Sequence, residues 1–323
     1  MRAVVYTGVG KTEESLRMGE IAKPSPEAHQ VLVRVRASAI TNMEYMRFGS
    51  IGLGRVLNLA MPAAGKPLGV EFAGIVEEIG DGVKGLKKGD AVFGLAKGFI
   101  GAWAEYVLAN EKEVASKPDS LSFEQAGALP TGGITALGAV CAAKIRTGQE
   151  VLIQGASGGV GHFVVQLAKA YGGIVTAVCS TRNVEMAQGL GADHVIDYKK
   201  EDIAGTGKTY DRIIGVNGYH PLSVYKKLLN PGGRYVLIGG TPKALSGMAA
   251  GPVRAIGSGK KFGSAAFPFQ PKRQRLEELG RLADEGKVKP YIDHIYTPDE
   301  TAKAIEYVLA EHPQGKVAFR MEF

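Results

Sequence analysis

The sequence contains little cysteine and no long apolar run. Two cysteines, Cys141 and Cys179, occur among 323 residues, and neither belongs to a CxxC pair or to a Cys/His ligand spacing. A structural zinc site built from four cysteines is therefore excluded. So few cysteines favour a reducing compartment. Neither an apolar run of about 18 residues nor a signal peptide is visible, so we expect a soluble cytoplasmic protein.

Basic residues outnumber acidic ones, but they do not gather into a nucleic-acid-binding patch. The formal net charge is +7 and the pI is about 9.2. The nearest cluster is the short run Pro271–Arg275, which leads into a helix-like segment and contains no aromatic residue. We therefore expect no nucleic-acid partner. An anionic small ligand, such as a phosphorylated cofactor, needs only a few well-placed cations.

Length and hydrophobic periodicity predict two domains of different class. Before residue 125 the sequence is β-rich: residues 31–36 alternate apolar and basic side chains, and glycine-rich turns separate strand candidates at 70–79 and 90–93. This pattern favours a compact barrel-like domain. From residue 125 strands alternate with helices, which predicts an α/β fold with a doubly wound parallel sheet. After residue 270 two helices and two strands follow, which could fold back onto the first domain.

The strand candidate at 151–154 runs into a glycine-rich turn, residues 155–161. In the dinucleotide-binding template G-x-G-x-x-G, the three glycine positions are occupied by Ala156, Gly158 and Gly161. Gly158 would let a pyrophosphate approach the backbone, and Gly161 would let the next helix pack against the strand. The helix N-terminus would add N–H donors and the positive end of its dipole. A structural turn without a ligand is the alternative.

The second strand of this unit ends without the acidic residue that usually holds the adenosine ribose of NAD. Cys179 is followed by Ser180, Thr181 and Arg182. Hydroxyls and a guanidinium would bind the 2′-phosphate of NADP through charge-assisted hydrogen bonds, whereas an acid would repel it. Alternatively, Ser180 or Thr181 caps the next helix. Because capping explains neither the missing acid nor the arginine, we predict NADPH as the cofactor.

Motifs spread over nearly the whole chain are similar to those of one enzyme family. They are Gly69–Gly74, Lys88–Gly94, Ala104–Tyr106, Gly132–Ala136, Gly155–Gly161, Leu190–Tyr198 and Gly315–Val317. The chain thus resembles the zinc-free branch of the medium-chain dehydrogenase/reductase family, the quinone-oxidoreductase-like proteins. The resemblance implies a GroES-like substrate domain from residues 1–124 and 268–323. It also implies a Rossmann NADPH-binding domain from residues 125–267, and hydride transfer in a cleft.

Two positions argue against a catalytic zinc ion. Zinc-dependent relatives carry a Cys early in the chain and a Gly-His-Glu later. Here the segment 39–45 has no Cys, and Val70 stands between Gly69 and Glu71. Valine cannot ligate a metal, so we expect none. Without a Lewis acid, reduction of a quinone or of a conjugated C=C bond is favoured over alcohol oxidation, because the charge delocalises into a hydroquinone or an enolate.

The resemblance also implies the cofactor contacts. Ser157, Gly158, Gly159 and Val160 would contact the pyrophosphate, and the 2′-phosphate would contact Ser180, Thr181, Arg182 and Tyr198. Asn217 would reach the adenosine side, although the family more often has Asp-x-Val-Gly there. Gly239 and Gly240 would lie near the nicotinamide ribose, and Thr131 near the nicotinamide. Alternatively, Tyr198 is a surface aromatic and the glycines serve turn geometry.

Relatives often place a polar group or a tyrosine in the region Asn42–Met46, which here offers Tyr45 and Glu44. Either could donate a proton or orient a carbonyl, solvent could donate instead, and either could be a structural residue. The glycine-rich segment 48–65 is expected to border the substrate cleft and to move.

These observations together predict an NADPH-dependent oxidoreductase that reduces quinones or α,β-unsaturated carbonyls without zinc. The alternatives are a catalytically silent NADPH-binding sensor or structural protein, and a zinc-independent carbonyl or alcohol dehydrogenase. The stretch Lys260–Phe267 is expected to form the last strand of the sheet. In the family such strands pair across a two-fold axis, which implies a homodimer.

Overall fold

A computed structural model describes residues 1–8, 10–49, 64–218, 220–239, 259–264 and 272–323. The strands are β1 (Arg2–Tyr6), β2 (Leu16–Glu20), β3 (Gln30–Ala39), β4 (Lys66–Pro67), β5 (Glu71–Ile79), β6 (Ala91–Leu95), β7 (Tyr106–Asn110), β8 (Val114–Ser116), β9 (Glu150–Gln154), β10 (Ile174–Cys179), β11 (His194–Asp197), β12 (Tyr210–Val216), β13 (Leu229–Ile238), β14 (Lys261–Ser264), β15 (Ile292–Tyr296) and β16 (Lys316–Arg320). The α-helices are Thr12–Ser15, Asn42–Gly49, Phe123–Ala128, Pro130–Ala143, Gly161–Ala170, Val184–Gly189, Leu222–Leu228, Lys272–Asp284 and Thr301–Glu311. Among the helices of these ranges, none is long and apolar enough to cross a membrane.

The chain divides into two compact units. The first comprises Met1–Ile134 and Gln270–Phe323, and the second comprises Thr135–Phe269. The first unit thus extends to Ile134, whereas the sequence placed the boundary after residue 124. The reason is that the helix Phe123–Ala128 packs against β3 and β5. The second sequence-based boundary, 267/268, lies outside the described residues.

Within the described residues, the second unit forms a six-stranded parallel sheet with the order β11-β10-β9-β12-β13-β14. Residues 151–154 and 175–179 are buried without alternation, as expected for strands covered on both faces. From β9 the chain adds β10 and β11 on one side, then crosses to add β12, β13 and β14 on the other. This order is doubly wound, with its switch point between β9 and β12. The predicted α/β fold class is confirmed.

The first unit is built around the long strand β3, which pairs antiparallel with β5, β7 and β16. Along β3 the side chains of Arg34 and Arg36 are exposed and those of Val33 and Val35 are buried, so the predicted alternation holds at residues 33–36, whereas residues 31–33 are all buried. The pairing with β16 joins the C-terminal segment to the N-terminal one. The core contains Trp103 and Phe319, whose rings lie edge to face with centroids 5.2 Å apart.

The predicted helix at 125–143 is two helices. Ser122 begins the first with a capping box: the Ser122 hydroxyl accepts from the Gln125 backbone N–H, and the Gln125 side chain accepts from the Ser122 backbone N–H. Pro130 begins the second helix, a position where a missing N–H costs no helical hydrogen bond. The interruption places Thr131 in the first turn of a helix, next to the free N–H groups of its N-terminus.

Candidate active site

In the second unit, the predicted cofactor residues lie at the carboxyl ends of neighbouring strands. Gly155 follows β9 with a φ of +75°, and a Cβ there would lie 2.5 Å from the backbone oxygen of Val216, the last residue of β12. A Cβ on Gly239, after β13, would lie 3.0 Å from Oδ1 of Asn217. The strand ends are therefore packed too closely for larger residues. This edge, at the switch point, is where open α/β sheets bind ligands.

The glycines of the turn at 155–161 differ in what requires them. A Cβ on Gly161 would lie 1.9 Å from the backbone oxygen of Gly155, so this position accepts only glycine without rearrangement. A Cβ on Gly158 would meet nothing closer than 3.8 Å. The fold therefore requires Gly161, whereas the space above Gly158 is open to a ligand. The helix Gly161–Ala170 begins here and directs its N-terminus toward that space.

A buried amide joins the glycine turn to the end of β10. The Nδ2 of Asn183 donates to the Ser157 hydroxyl at 2.8 Å and to the Ser180 hydroxyl at 3.1 Å. Asn183 is 6% exposed, and the sequence analysis did not assign it a role. In the sequence, Asn183 is recognisable only as a short polar residue at the start of a helix. That position does not show whether its side chain caps the helix or joins two other side chains. The bridge fixes the two serines relative to each other.

The alternative in which Ser180 or Thr181 caps the next helix with its hydroxyl is wrong. Ser180 precedes the 3₁₀ turn Thr181–Asn183, but its side chain makes no capping hydrogen bond to a backbone N–H of that turn. Thr181 instead donates its hydroxyl to Oδ2 of Asp197, at the end of β11, at 2.7 Å. This bond, the Lys199 backbone N–H and the Lys200 ammonium hold the pKa of Asp197 below its usual range. An acid is thus present on the neighbouring strand, and its charge is already satisfied.

Cationic and aromatic side chains surround this strand end. Arg182 and Tyr198 are exposed, and Tyr198 retains 46% of its accessible surface. The Lys199 ammonium lies 5.5 Å from the centre of the Tyr198 ring. Lys200 lies 3.5 Å from Asp197. Lys200 offsets the charge of Asp197, and Arg182 after β10 and Lys199 after β11 add exposed basic side chains. Basic side chains suit a phosphate group better than a ribose hydroxyl.

In the first unit, Glu44 is buried inside a capping box. Its Oε2 accepts from the backbone N–H of Thr41 at 2.9 Å and from the Thr41 hydroxyl at 2.5 Å, and the same hydroxyl oxygen accepts from the Met43 N–H. Burial, and to a smaller extent the charge of Glu71, raise the pKa of Glu44. Glu44 is 3% exposed, whereas Tyr45 is 39% exposed. Burial of Glu44 thus favours the protonated form of its carboxyl group.

Glu71 connects three parts of the first unit. Its Oε1 lies 2.7 Å from the Lys316 ammonium, and both side chains are almost fully buried. Its Oε2 accepts from the Thr131 backbone N–H at 2.7 Å, at the start of a helix. Lys316 also donates to the backbone oxygen of Ile40 at 2.8 Å. The carboxylate is therefore held by an ammonium and a helix N-terminus, and it fixes the position of Thr131.

Val70, where zinc-dependent relatives have histidine, is 2% exposed in the apolar interior. In the part of the chain that the structure describes, no group of three or more His, Cys, Asp or Glu side chains could hold a metal ion. Gly240 and residues 50–63 of the predicted cleft segment lie outside the described residues.

Two family models match the chain. Residues 27–119 match the alcohol dehydrogenase GroES-like domain, and residues 190–318 match a zinc-binding dehydrogenase domain. The chain is 32% identical to the chloroplast envelope quinone oxidoreductase homolog of Arabidopsis thaliana, over 98% of this chain and 97% of that protein. It is 31% identical to the chloroplastic NADPH-dependent alkenal/one oxidoreductase of the same plant, over 98% of this chain and 78% of that protein.

The fold is also similar to a solved structure. The quinone oxidoreductase from Coxiella burnetii superposes with a TM-score of 0.86 at 30% identity, covering 100% of this chain and 99% of that one.

Proposed function

The chain is an oxidoreductase of the quinone-oxidoreductase-like branch of the medium-chain dehydrogenase/reductase family, and we propose that it uses NADPH to reduce quinones or α,β-unsaturated carbonyls. The observation that carries the cofactor choice is the end of β10. There a serine, a bridged asparagine and an arginine stand where an acid would hold the ribose of NAD.

The residues of the second unit fit NADPH. The space above Gly158 and the N-terminus of the following helix would take the pyrophosphate, with the Ser157 hydroxyl beside it. Ser180 and Arg182 would hold the 2′-phosphate, with Tyr198 at its side. Thr181 would not contact the phosphate directly, because its hydroxyl already donates its proton to Asp197. Asn217 would reach the adenosine side, and Gly239 would lie near the nicotinamide ribose; a Cβ on Gly239 would lie 3.0 Å from Oδ1 of Asn217.

When bound, NADPH supplies a hydride to the acceptor, which also gains one proton; a conjugated ketone then becomes a saturated ketone, and a quinone becomes a hydroquinone. In the first unit, Glu44 would hold a proton for this step, because burial favours its neutral form. Glu71 would position Thr131 beside the nicotinamide. Val70 supplies no metal ligand, so we propose a reaction without zinc, and elemental analysis showing one zinc per chain would contradict it.

The cofactor assignment is tested by Arg182→Ala. Losing a charged hydrogen bond to the 2′-phosphate should weaken NADPH binding by roughly 1–3 kcal/mol. Binding of NADH, which lacks this phosphate, should change little. Isothermal titration calorimetry with both cofactors measures the difference. Equal losses for the two would make Arg182 a structural residue of the turn.

The reaction is tested by NADPH oxidation with a panel of quinones and enones. Turnover of either class supports the reductase. Tight NADPH binding without turnover of any acceptor would favour the sensor alternative, in which the first unit no longer completes a catalytic site.

The edge of the second unit favours a homodimer. Strand β14 is the last strand of the sheet, and its outer backbone groups face no further strand among the described residues. Pairing of β14 with its copy across a two-fold axis would cover this edge. We propose a homodimer of the cytoplasm, and a monomer by light scattering at micromolar concentration would contradict the assembly.

A further inference from the structure

The first unit contains a cavity of about 400 Å³ that none of the predicted cofactor residues lines. Much of its wall is apolar, with Met43, Leu68, Phe99 and Ile100 facing the space. The buried Glu44 forms another part of the wall. The cavity could therefore hold the carbon skeleton of a small acceptor.

Three cations also lie on the wall of this cavity: Arg47, Lys66 and Lys97. Arg47 stacks over the Tyr6 ring, with its guanidinium carbon 5.3 Å from the ring centre. Lys97 lies 3.2 Å from Glu27, whose side chain is 75% exposed. Such an exposed pair contributes little and is easily replaced. For Lys66, no ion pair is found within the described residues.

The charges of the wall do not cancel. Glu44 is the one acid among the lining residues that the structure describes, and burial favours its neutral form. The lining thus contains three basic side chains and one acidic one around an apolar floor. A wall that carries both an arginine and a lysine is suited to a carboxylate, because each cation can donate charge-assisted hydrogen bonds to it.

The cavity is connected to the expected position of the nicotinamide through a segment of the first unit. Gly69 lines the cavity, two residues before Glu71 in the chain. Glu71 in turn accepts from the backbone N–H of Thr131. The cavity is thus lined by the segment that leads into the strand whose Glu71 holds the residue that we place beside the nicotinamide.

We propose that this cavity selects acceptors that carry a carboxylate, with the anion held by Arg47 and Lys66 and the unsaturated part lying against the apolar wall. The inference rests on the proposed reductase activity and adds the charge of its substrate. It makes the acceptor an unsaturated keto acid or a quinone with an acidic side chain.

The test compares trans-β-benzoylacrylate, an enone with a carboxylate, with its methyl ester. The ratio of kcat/KM for acid to that for ester is measured with NADPH in the wild type, in Lys66→Gln and in the Arg47→Gln/Lys66→Gln double variant. Comparing ratios between variants cancels the different intrinsic reactivity of the two compounds. Lys112→Gln is the matched control, because it removes an exposed lysine of the same unit that does not line the cavity.

We expect the ratio to fall about tenfold in Lys66→Gln and more in the double variant, the scale of one lost charged hydrogen bond. The ratio should stay at the wild-type value in Lys112→Gln. Added salt should lower the ratio in the wild type and have less effect in the double variant. Ratios that do not change in either cavity variant would overturn the inference, while turnover of the ester would leave the proposed reductase intact.

A second measurement separates the two proposals. Calorimetry of the acid with the cofactor-free protein reports the site without any turnover. Binding that weakens in Lys66→Gln but not in Lys112→Gln supports the anion site even if neither compound is reduced, in which case the proposed reductase fails alone. Equal binding of acid and ester to the wild type would overturn the anion site. Should the double variant fail to fold, the single variant Arg47→Lys, which keeps the charge but loses the planar guanidinium, replaces it in the kinetic assay.

Discussion

The two units treat their polar groups in opposite ways. At the strand ends of the second unit, a neutral amide joins two hydroxyls, and the cations Arg182 and Lys199 remain at the surface. In the first unit, Glu71 and Lys316 are buried and paired with each other. An exposed cation can contact a ligand from solvent, whereas the buried pair of Glu71 and Lys316 satisfies its own charges. Changes to the cations at these strand ends should therefore alter binding first, and changes to the buried pair should alter folding first.

The largest expected effect is that of Lys316→Met. The variant leaves the Glu71 carboxylate buried without its ammonium, and breaking such a pair costs about 3–5 kcal/mol. Urea unfolding measures the loss. The double variant Glu71→Gln/Lys316→Met removes both charges and should recover a large part of the stability. A single variant as stable as the wild type would show that Glu71 accepts a proton or reaches water, and that the contrast between the units is not one of buried charge.

A second comparison lies inside the glycine turn. Gly161→Ala forces a Cβ against the Gly155 backbone oxygen, and overpacking of this kind costs about 1–3 kcal/mol. In Gly158→Ala the added Cβ meets no such contact, so the melting temperature of this variant should equal that of the wild type. Its NADPH binding should weaken, because the methyl group occupies the space proposed for the pyrophosphate. Thermal unfolding and calorimetry measure the two quantities. If Gly158→Ala binds NADPH normally, the open space above Gly158 is not the pyrophosphate site.

Those features of the second unit that depend on short stretches of sequence could be predicted. The strand, turn and helix around residues 150–170 carry their information locally, in an apolar run followed by glycines. The same pattern was sufficient to predict the doubly wound sheet. What it could not predict is the partner of Thr181, because Asp197 is brought to it by the pairing of β10 with β11.

The buried network of the first unit was beyond the sequence analysis. Lys316 lies 245 positions from Glu71 in the chain, and they meet because β16 and β5 both pair with β3. Glu44 was selected as a candidate by its region, but its role in a capping box depends on Thr41 and on the burial of the helix start. The surroundings of both Glu71 and Glu44 are formed by segments that are distant in the sequence, so local patterns could not predict them.

Glu44→Gln tests the contrast between the units through pH. The pKa of Glu44 is raised above 4.5 in the folded protein, mainly by burial. The folded state therefore loses stability as pH rises from 4.5 through the raised value, since a buried carboxyl must then ionise. Glutamine stays neutral, so the variant should gain in melting temperature over the wild type at pH ~8, with the gain shrinking toward pH ~5.

The control for Glu44→Gln is Glu13→Gln, which removes an exposed negative charge of the same unit. Its melting temperature should differ from that of the wild type by a small amount that does not follow this pH course. A Glu44→Gln variant that is less stable than the wild type at every pH would show that the carboxylate form is the one that holds the capping box.

The smallest effect on stability is expected at Asp197 in the second unit, and its dependence on pH is opposite to that at Glu44. The Thr181 hydroxyl is the main cause that lowers its pKa below 3.8, so the stability from this bond is complete above 3.8 and is lost as pH falls through the lowered value. Thr181→Val should melt below the wild type by a constant margin at neutral pH, and the margin should narrow in acid. Thr181→Ser keeps the hydroxyl and should follow the wild type. A margin that is independent of pH would mean that the valine disturbs packing and not the carboxylate, and the two units would then no longer differ in the sign of their acid response.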